Sequence, residues 1–276
     1  MKTTPTLQRA FTFVELLLVI AILAVLVALQ IPALANAKSR VQVISCGDNL
    51  KRINVAFQTW AASHAARFPM SIPTAFGGTS EVIGVRATGT TFASNMTPTR
   101  RGVFAIFVAL SNELTTPKIL YCPSEYRANI TQGFIFGDSA GTNTGFFNDN
   151  GTSYFVGVDA YSTATSMMLT GDHNLGDTGN PPATPNIYGD TKSNFVSGGT
   201  NVLWGATAIG WGDNQHRRQG NVAFVDGSVQ TLDTAQFRLA LNKSGDSERA
   251  NNSGSPVSFV NTSGSLGFGK NRLQFP

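Results

Sequence analysis

Charged side chains are scarce in this sequence, with only 13% of its 276 residues being Asp, Glu, Lys or Arg. That is low for a cytosolic protein, and the abundant Gly, Ser, Thr and Asn suit an exported, loop-rich, β-containing head. The basic residues are scattered rather than gathered into a stripe, and the formal net charge is only +4, so the sequence carries no footprint for nucleic acid. Two cysteines, Cys46 and Cys122, are too few for a zinc site built on cysteine. In an oxidising compartment they are candidates for a disulfide contributing about 4 kcal/mol in the chain-entropy model. The alternative is two separate buried thiols. Neither a complete phosphate-binding loop nor a His-Glu-x-x-His pattern occurs. The chemistry left to test is Asp172-His173, Asp213, His216 and Asp226, since His and Asp together bind divalent metals. Asp172-His173 reads as a Gly-flanked turn, where Asp is favoured for local hydrogen bonds. The expectation is a protein that is not an enzyme.

What the sequence does have is one long apolar run, from Phe11 to Ile31, interrupted only by Thr12, Glu15 and Gln30. It is about long enough to cross a bilayer as an α-helix. Lys2 and Arg9 precede it and place that end in the cytoplasm. A carboxylate so near the start of an apolar helix is costly in lipid, so Glu15 calls for a partner.

Ala10-Phe11-Thr12-Phe13-Val14-Glu15 resembles the cleavage and methylation motif of type IV prepilins and type II secretion pseudopilins. The resemblance implies cleavage between Ala10 and Phe11 by a prepilin peptidase and methylation of the new amine at Phe11. It also implies that Glu15 neutralises the amino terminus of a neighbouring subunit during assembly into a pseudopilus or pilus-like filament. Pro32 stands where many members carry a helix-kinking proline. One departure is Ala10, where the family usually has Gly. The partners implied are the peptidase, other pilin or pseudopilin subunits and the bacterial inner membrane, crossed once, with the head in the periplasm or on an extracellular filament. The alternative is an ordinary signal peptide cut after Ala35-Asn36-Ala37, releasing a surface or periplasmic glycan- or cargo-binding protein. An uncleaved anchor is a third reading.

The expected domains are a leader over 1–10, a helix over 11–64 that is transmembrane over about 11–31, and a head over 65–276 with a flexible tail. Cys46, Leu50, Ile53, Phe57 and Trp60 recur at helical spacing and define the helix face that meets the head, with Asn49, Lys51, Arg52 and Asn54 elsewhere. Pro69 is expected to end that helix. The fold class is α+β, a long helix packed on an antiparallel, loop-rich sheet, pilin-like.

Further expectations are short strands at Glu81–Val85, Lys118–Cys122, Tyr154–Val158 and Ser166–Leu169, and a short helix over Val103–Leu110. Gly133–Ser153 reads as an extended loop. Asp226-Gly227 is expected to turn a hairpin, with Asp233 and Gln236 capping a following helix. Leu266–Phe268 and Leu273–Phe275 are candidates to return to the head.

His216, nine intervening residues, then Asp226-Gly227 is similar to the C-terminal signature of a large bacterial family of prepilin-type proteins. Cys46 followed by Asn49–Ile53, Phe68-Pro69 and Cys122-Pro123-Ser124 fit the same family. A strand between His216 and Asp226 keeps the two apart, so both are expected to be structural anchors, Asp226 at positive φ in the turn and His216 at the edge of the core. Related pseudopilins hold calcium in a head loop, for which Asp138, Asp149 and Asp177 are candidates. Trp204 and Trp211 are candidates for stacking on sugars or for core packing.

Overall fold

A computed structural model describes residues 12–83, 102–127, 133, 135–137, 145–146, 148–176, 195–198, 209–213, 215–244 and 271–275. The chain divides into a unit ending at Val41 and a second running from Gln42 to Pro276. Helix α1, Phe13–Ser63, contributes to both.

In the first unit the helix is apolar, and the most apolar window along it buries none of its surface within the protein. It is long and apolar enough to cross a membrane. A helix suits such a run because it satisfies its backbone groups internally, with no need for water. The helix continues without a break through Pro32.

In the second unit one face of α1 becomes core. Cys46, Leu50, Ile53, Phe57 and Trp60 are all buried, as their spacing implies. Asn54 departs from the expectation: it is buried as well, because its amide donates to the Phe224 carbonyl at 2.6 Å. Gln58 donates to the Val225 carbonyl at 2.7 Å, so two amides fasten the helix to one strand end. The helix ends six residues before Pro69. Ala65 and Ala66 both take positive φ, and the Ala66 N–H returns to the Ala61 carbonyl at 2.9 Å. Pro69 instead opens a 3₁₀ turn, Pro69–Ser71, where its missing N–H costs nothing.

The strands, in chain order, are β1 Ile135–Phe136, β2 Gly145–Phe146, β3 Tyr154–Gly157, β4 Met168–Asp172, β5 Leu175–Gly176, β6 Phe195–Gly198, β7 Gly210–Trp211, β8 Gln219–Phe224, β9 Val229–Asp233 and β10 Asn271–Gln274. Six form one sheet in the order β6-β10-β3-β4-β8-β9, every neighbour antiparallel. Alternation along the strands gives the sheet two apolar faces. Tyr154, Val156, Leu169, Ala223 and Val225 join the α1 face in one cluster. Phe155, Met168, Val222, Phe224 and Leu273 join a second cluster with Trp211, Phe237 and Leu241. The architecture is α+β, a long N-terminal helix followed by an antiparallel sheet.

Three further α-helices lie among the described residues: α2 Gly102–Ala109, α3 Ser111–Leu114 and α4 Thr234–Lys243. Helix α4 begins with the expected capping box, Asp233 accepting from the Gln236 N–H while Gln236 accepts from the Asp233 N–H. The β8–β9 hairpin is present, but its loop differs from the two-residue turn expected. Phe224 N–H donates to the Ser228 carbonyl, so Val225, Asp226 and Gly227 make the turn. Only Gly227 takes positive φ, at 90°, and Asp226 accepts from the Ser228 N–H instead.

Two expected strands are 3₁₀ turns. Glu81 and Val82 lie in Ser80–Val82, and Lys118–Leu120 in Pro117–Leu120, where Pro117 at the first position presets φ for a helical turn. The Gly133–Ser153 stretch, expected to be loop, pairs β1 with β2 in parallel and closes with a 3₁₀ turn at Asp149–Gly151. Leu273 and Phe275 do return to the head, whereas Leu266–Phe268 lie outside the described residues.

The α1 face gives a direct test. Leu50→Ala should lower the unfolding free energy of the head by about 3 kcal/mol. Val55→Ala, at a position 65% exposed, should change it by less than about 0.5 kcal/mol. Chemical denaturation of the detergent-solubilised chain measures both, and equal effects would contradict the burial of this face.

Candidate functional site

At the N-terminus, Ala10 and Phe11 lie outside the described residues, while Thr12 and Glu15 do not. The Glu15 carboxylate accepts from the Thr12 N–H and the Thr12 hydroxyl, both at 2.8 Å, and the Thr12 hydroxyl accepts from the Glu15 N–H at 3.3 Å. Thr-x-x-Glu is a capping box. Glu15 therefore has a partner within its own chain, one that the sequence argument did not consider. A carboxylate at the first turn also meets the positive end of the helix dipole.

The second site lies where α1, the 120–127 loop, β4 and β8 converge. Cys46 and Cys122 form a disulfide with Cα atoms 5.4 Å apart. Against it lies Asp172, which the sequence reading put in a turn. It is the last residue of β4 and fully buried. Its Oδ2 accepts from the Asn221 backbone N–H at 2.7 Å and the Asn221 side-chain amide at 3.1 Å, with His216 Nε2 at 3.3 Å. Burial pushes the Asp172 carboxyl above its ordinary pKa, although His216 and the Asn221 donors oppose the shift. His216 is 1% exposed, not at the core edge as expected, and its Nε2 also lies 3.4 Å from Cys122 Sγ. Arg217 and Arg218, immediately after it, both take positive φ, an unfavourable conformation for residues with a Cβ. Such strain persists only where surrounding contacts over-determine it. The Arg218 guanidinium is held by Asp213 at 2.6 Å on the surface.

Asn221 knits this region together. Besides serving Asp172, its amide donates to the Val43 carbonyl of α1, and its Oδ1 accepts from the Thr231 hydroxyl of β9. Tyr154, also buried, accepts from the Asn49 amide at 3.2 Å. Burial, with Asp172 and Glu125 nearby, raises its hydroxyl well above the usual tyrosine pKa.

A neighbouring network, absent from the sequence reading, centres on Glu125. Its side chain is fully buried and takes Arg127 at 3.0 Å, His173 Nε2 at 2.9 Å and the Ser153 hydroxyl at 2.6 Å. Burial alone would raise the Glu125 carboxyl, but His173 and Arg127 outweigh it and hold the carboxyl well below the ordinary range. Ser153 Oγ in turn accepts from the Cys122 N–H at 3.0 Å, which links the two networks through the disulfide loop. The only sequence cue was Cys122-Pro123-Ser124 just upstream.

The remaining candidates are placed as follows. Asp226 sits in the hairpin turn at the far end of β8 from His216, so the two do not share a site. Asp149 is buried and accepts from the Phe104 N–H at 2.6 Å, capping α2 beside Gly102, where a Cβ would collide with the carboxylate. Asp138, Asp177 and Trp204 lie outside the described residues. Trp211 is core, its ring 4.6 Å from that of Phe237, which rules it out as an exposed sugar platform. His64, at the end of α1, stacks on Trp60.

The Glu125 network has a signed pH dependence. A carboxyl held below its unfolded pKa contributes stability that is present above that unfolded value and lost as pH falls through the folded one. The head should therefore lose stability as pH drops below about 4.3, the value of an unperturbed glutamate. Glu125→Gln should cost about 3 kcal/mol at pH 7 and flatten the acid limb. Melting temperatures across the acid range check this, and an unchanged acid slope in the variant would contradict it.

Residues 6–29 match the prokaryotic N-terminal methylation motif, and the match does not extend to the His216, Asp226-Gly227 signature. No curated protein and no solved structure is detectably similar to the chain. The motif, of prepilin type, supports a pilin- or pseudopilin-like protein, and together with the apolar helix it is consistent with membrane anchoring.

Proposed function

We propose that the chain is a structural subunit of a type II secretion pseudopilus or type IV pilus-like filament. The observation that carries this reading is the methylation-motif match over residues 6–29, continuous with an apolar helix long enough to span a bilayer. A prepilin peptidase cuts between Ala10 and Phe11 and the Phe11 amine is methylated. The helix, with Pro32 along it, then anchors the subunit once in the inner membrane with the head outside the cytoplasm. The folded head, whose sheet is covered on both faces, supplies the part that faces solvent or other subunits. In this reading the protein does no chemistry of its own.

Glu15 has two possible duties, capping its own helix or neutralising the Phe11 amine of a neighbouring subunit. They separate by mutation, because Gln keeps the capping acceptor while removing the charge. Glu15→Ala and Glu15→Gln should both insert in the membrane and leave the head folded. Both should reduce incorporation into filaments at least tenfold, equivalent to about 1.4 kcal/mol. The measurement is quantitation of sheared or cross-linked assemblies from cells that co-express wild type. Normal assembly of the Gln variant alone would make Glu15 a cap and remove the charge argument. Normal assembly of both would sink the filament role assigned to Glu15.

A further inference from the structure

One ligand atom each from Cys46, Cys122, Asp172 and His216 lies within 4.8 Å of all the others. All four residues are buried, and they come from helix α1, the loop before Pro123, the end of β4 and the loop before β8. Two thiolates, an imidazole and a carboxylate are the ligand types of a tetrahedral zinc site. With metal–ligand distances of about 2.0–2.3 Å, the edges of such a tetrahedron are about 3.3–3.8 Å. The His216 Nε2–Asp172 Oδ2 separation is 3.3 Å and the Cys122 Sγ–His216 Nε2 separation is 3.4 Å. Two of the six edges thus already have the required length while the sulfurs are bonded to each other.

The surroundings point the same way. Among the described residues Asp172 Oδ1 has no hydrogen-bond partner, an unusual condition for a buried polar atom that leaves the carboxylate with an oxygen free to face a cation. Asn221 donates two hydrogen bonds to Asp172, the kind of outer support that orients a ligating carboxylate. The positive-φ pair Arg217-Arg218 follows His216 directly, at a place where the chain turns back into β8.

We propose that Cys46, Cys122, Asp172 and His216 form a redox-gated site that takes a divalent, thiophilic cation of the zinc type when the disulfide is reduced. Reduction breaks the S–S bond to give two thiols: either two external thiols supply the two electrons and two protons and leave as a disulfide, or a phosphine supplies the electrons and is oxidised to its oxide while one water supplies the oxygen and both protons. Metal binding then releases those two protons, and the sulfurs separate from a bond to a tetrahedral edge of about 3.8 Å. An external disulfide, which accepts the two electrons and leaves as two thiols, oxidises the two thiolates, expels the metal and restores the Cys46–Cys122 bond. The head is fastened to α1 in either state, by a covalent bridge in an oxidising compartment and by the metal in a reducing one.

The test uses the full-length chain in detergent, reduced with a phosphine under anaerobic conditions and titrated with Co²⁺, then with Zn²⁺. The reduced wild type should bind one equivalent of cobalt with the visible bands of tetrahedral coordination and an ultraviolet sulfur-to-cobalt charge-transfer band. Zinc should displace it, and the oxidised chain should show neither band. Asp172→Asn and His216→Ala should weaken cobalt binding at least about tenfold, Cys46→Ser should lower the charge-transfer intensity about twofold, and replacing both Cys46 and Cys122 by Ser should abolish it. Circular dichroism follows the fold throughout. Because either His216 or Asp172 substitution can unfold the head, the wild-type titration decides by itself. A reduced wild type without tetrahedral bands, folded or not, overturns the site, and bands that survive unchanged in folded His216→Ala or Asp172→Asn overturn the ligand set.

Discussion

The bridge between Cys46 and Cys122 sets the constraint on which the head depends. It joins α1 to the loop that carries Glu125, across 76 residues of sequence. Once that loop is fixed, Ser153 can serve both the Cys122 N–H and Glu125, and β3 is brought beside β4. The same helix is held independently by amides: Asn54 and Gln58 reach the end of β8, and Asn221 reaches back to Val43. Hydrophobic burial supplies most of the driving force for packing a helix on a sheet but is non-directional. Directional amide-to-carbonyl bonds at buried positions fix which register of α1 meets which strand.

Two buried carboxylates sit behind that seam, and their environments push them in opposite directions. Glu125, with Arg127 and His173 against it, is held ionised. Asp172, with only His216 and Asn221, has its carboxyl raised by burial. Removing charge from water is expensive, and a paired buried charge is weak evidence for added stability. Such groups are better understood as determinants of a unique arrangement around the disulfide. In the first unit of the chain, Glu15 solves a similar problem by local means, with Thr12 as its partner.

Features governed by local periodicity were legible in the sequence. The Cys46–Trp60 face follows from 3.6-residue spacing, the β8–β9 hairpin from two β-rich runs around Asp226-Gly227, and the α4 cap from Asp233 and Gln236. Features decided by tertiary pairing were not. Asp172 looked like a turn residue because Gly171 precedes it, yet its hydrogen bonds come from Asn221, 49 residues away. Asn54 looked like a solvent position because the amide that permits its burial is satisfied by a carbonyl 170 residues away. Lys118–Leu120 read as a strand from its apolar side chains, but Pro117 imposes a helical turn. For Glu125 only Arg127 is local, two residues on, while Ser153 and His173 come from segments 28 and 48 residues away, which no local pattern reveals.

A filament subunit keeps its apolar helix in the mature protein as an assembly element, whereas a protein exported by an ordinary signal peptide discards it. Helix α1 carries both kinds of surface in one continuous element, apolar and exposed toward its start, buried against the sheet toward its end. N-terminal sequencing and intact mass of the membrane-extracted protein test this directly. The account predicts a chain beginning at methylated Phe11 that retains Glu15 and Pro32. A mature chain beginning at Lys38, released from the membrane, would contradict it.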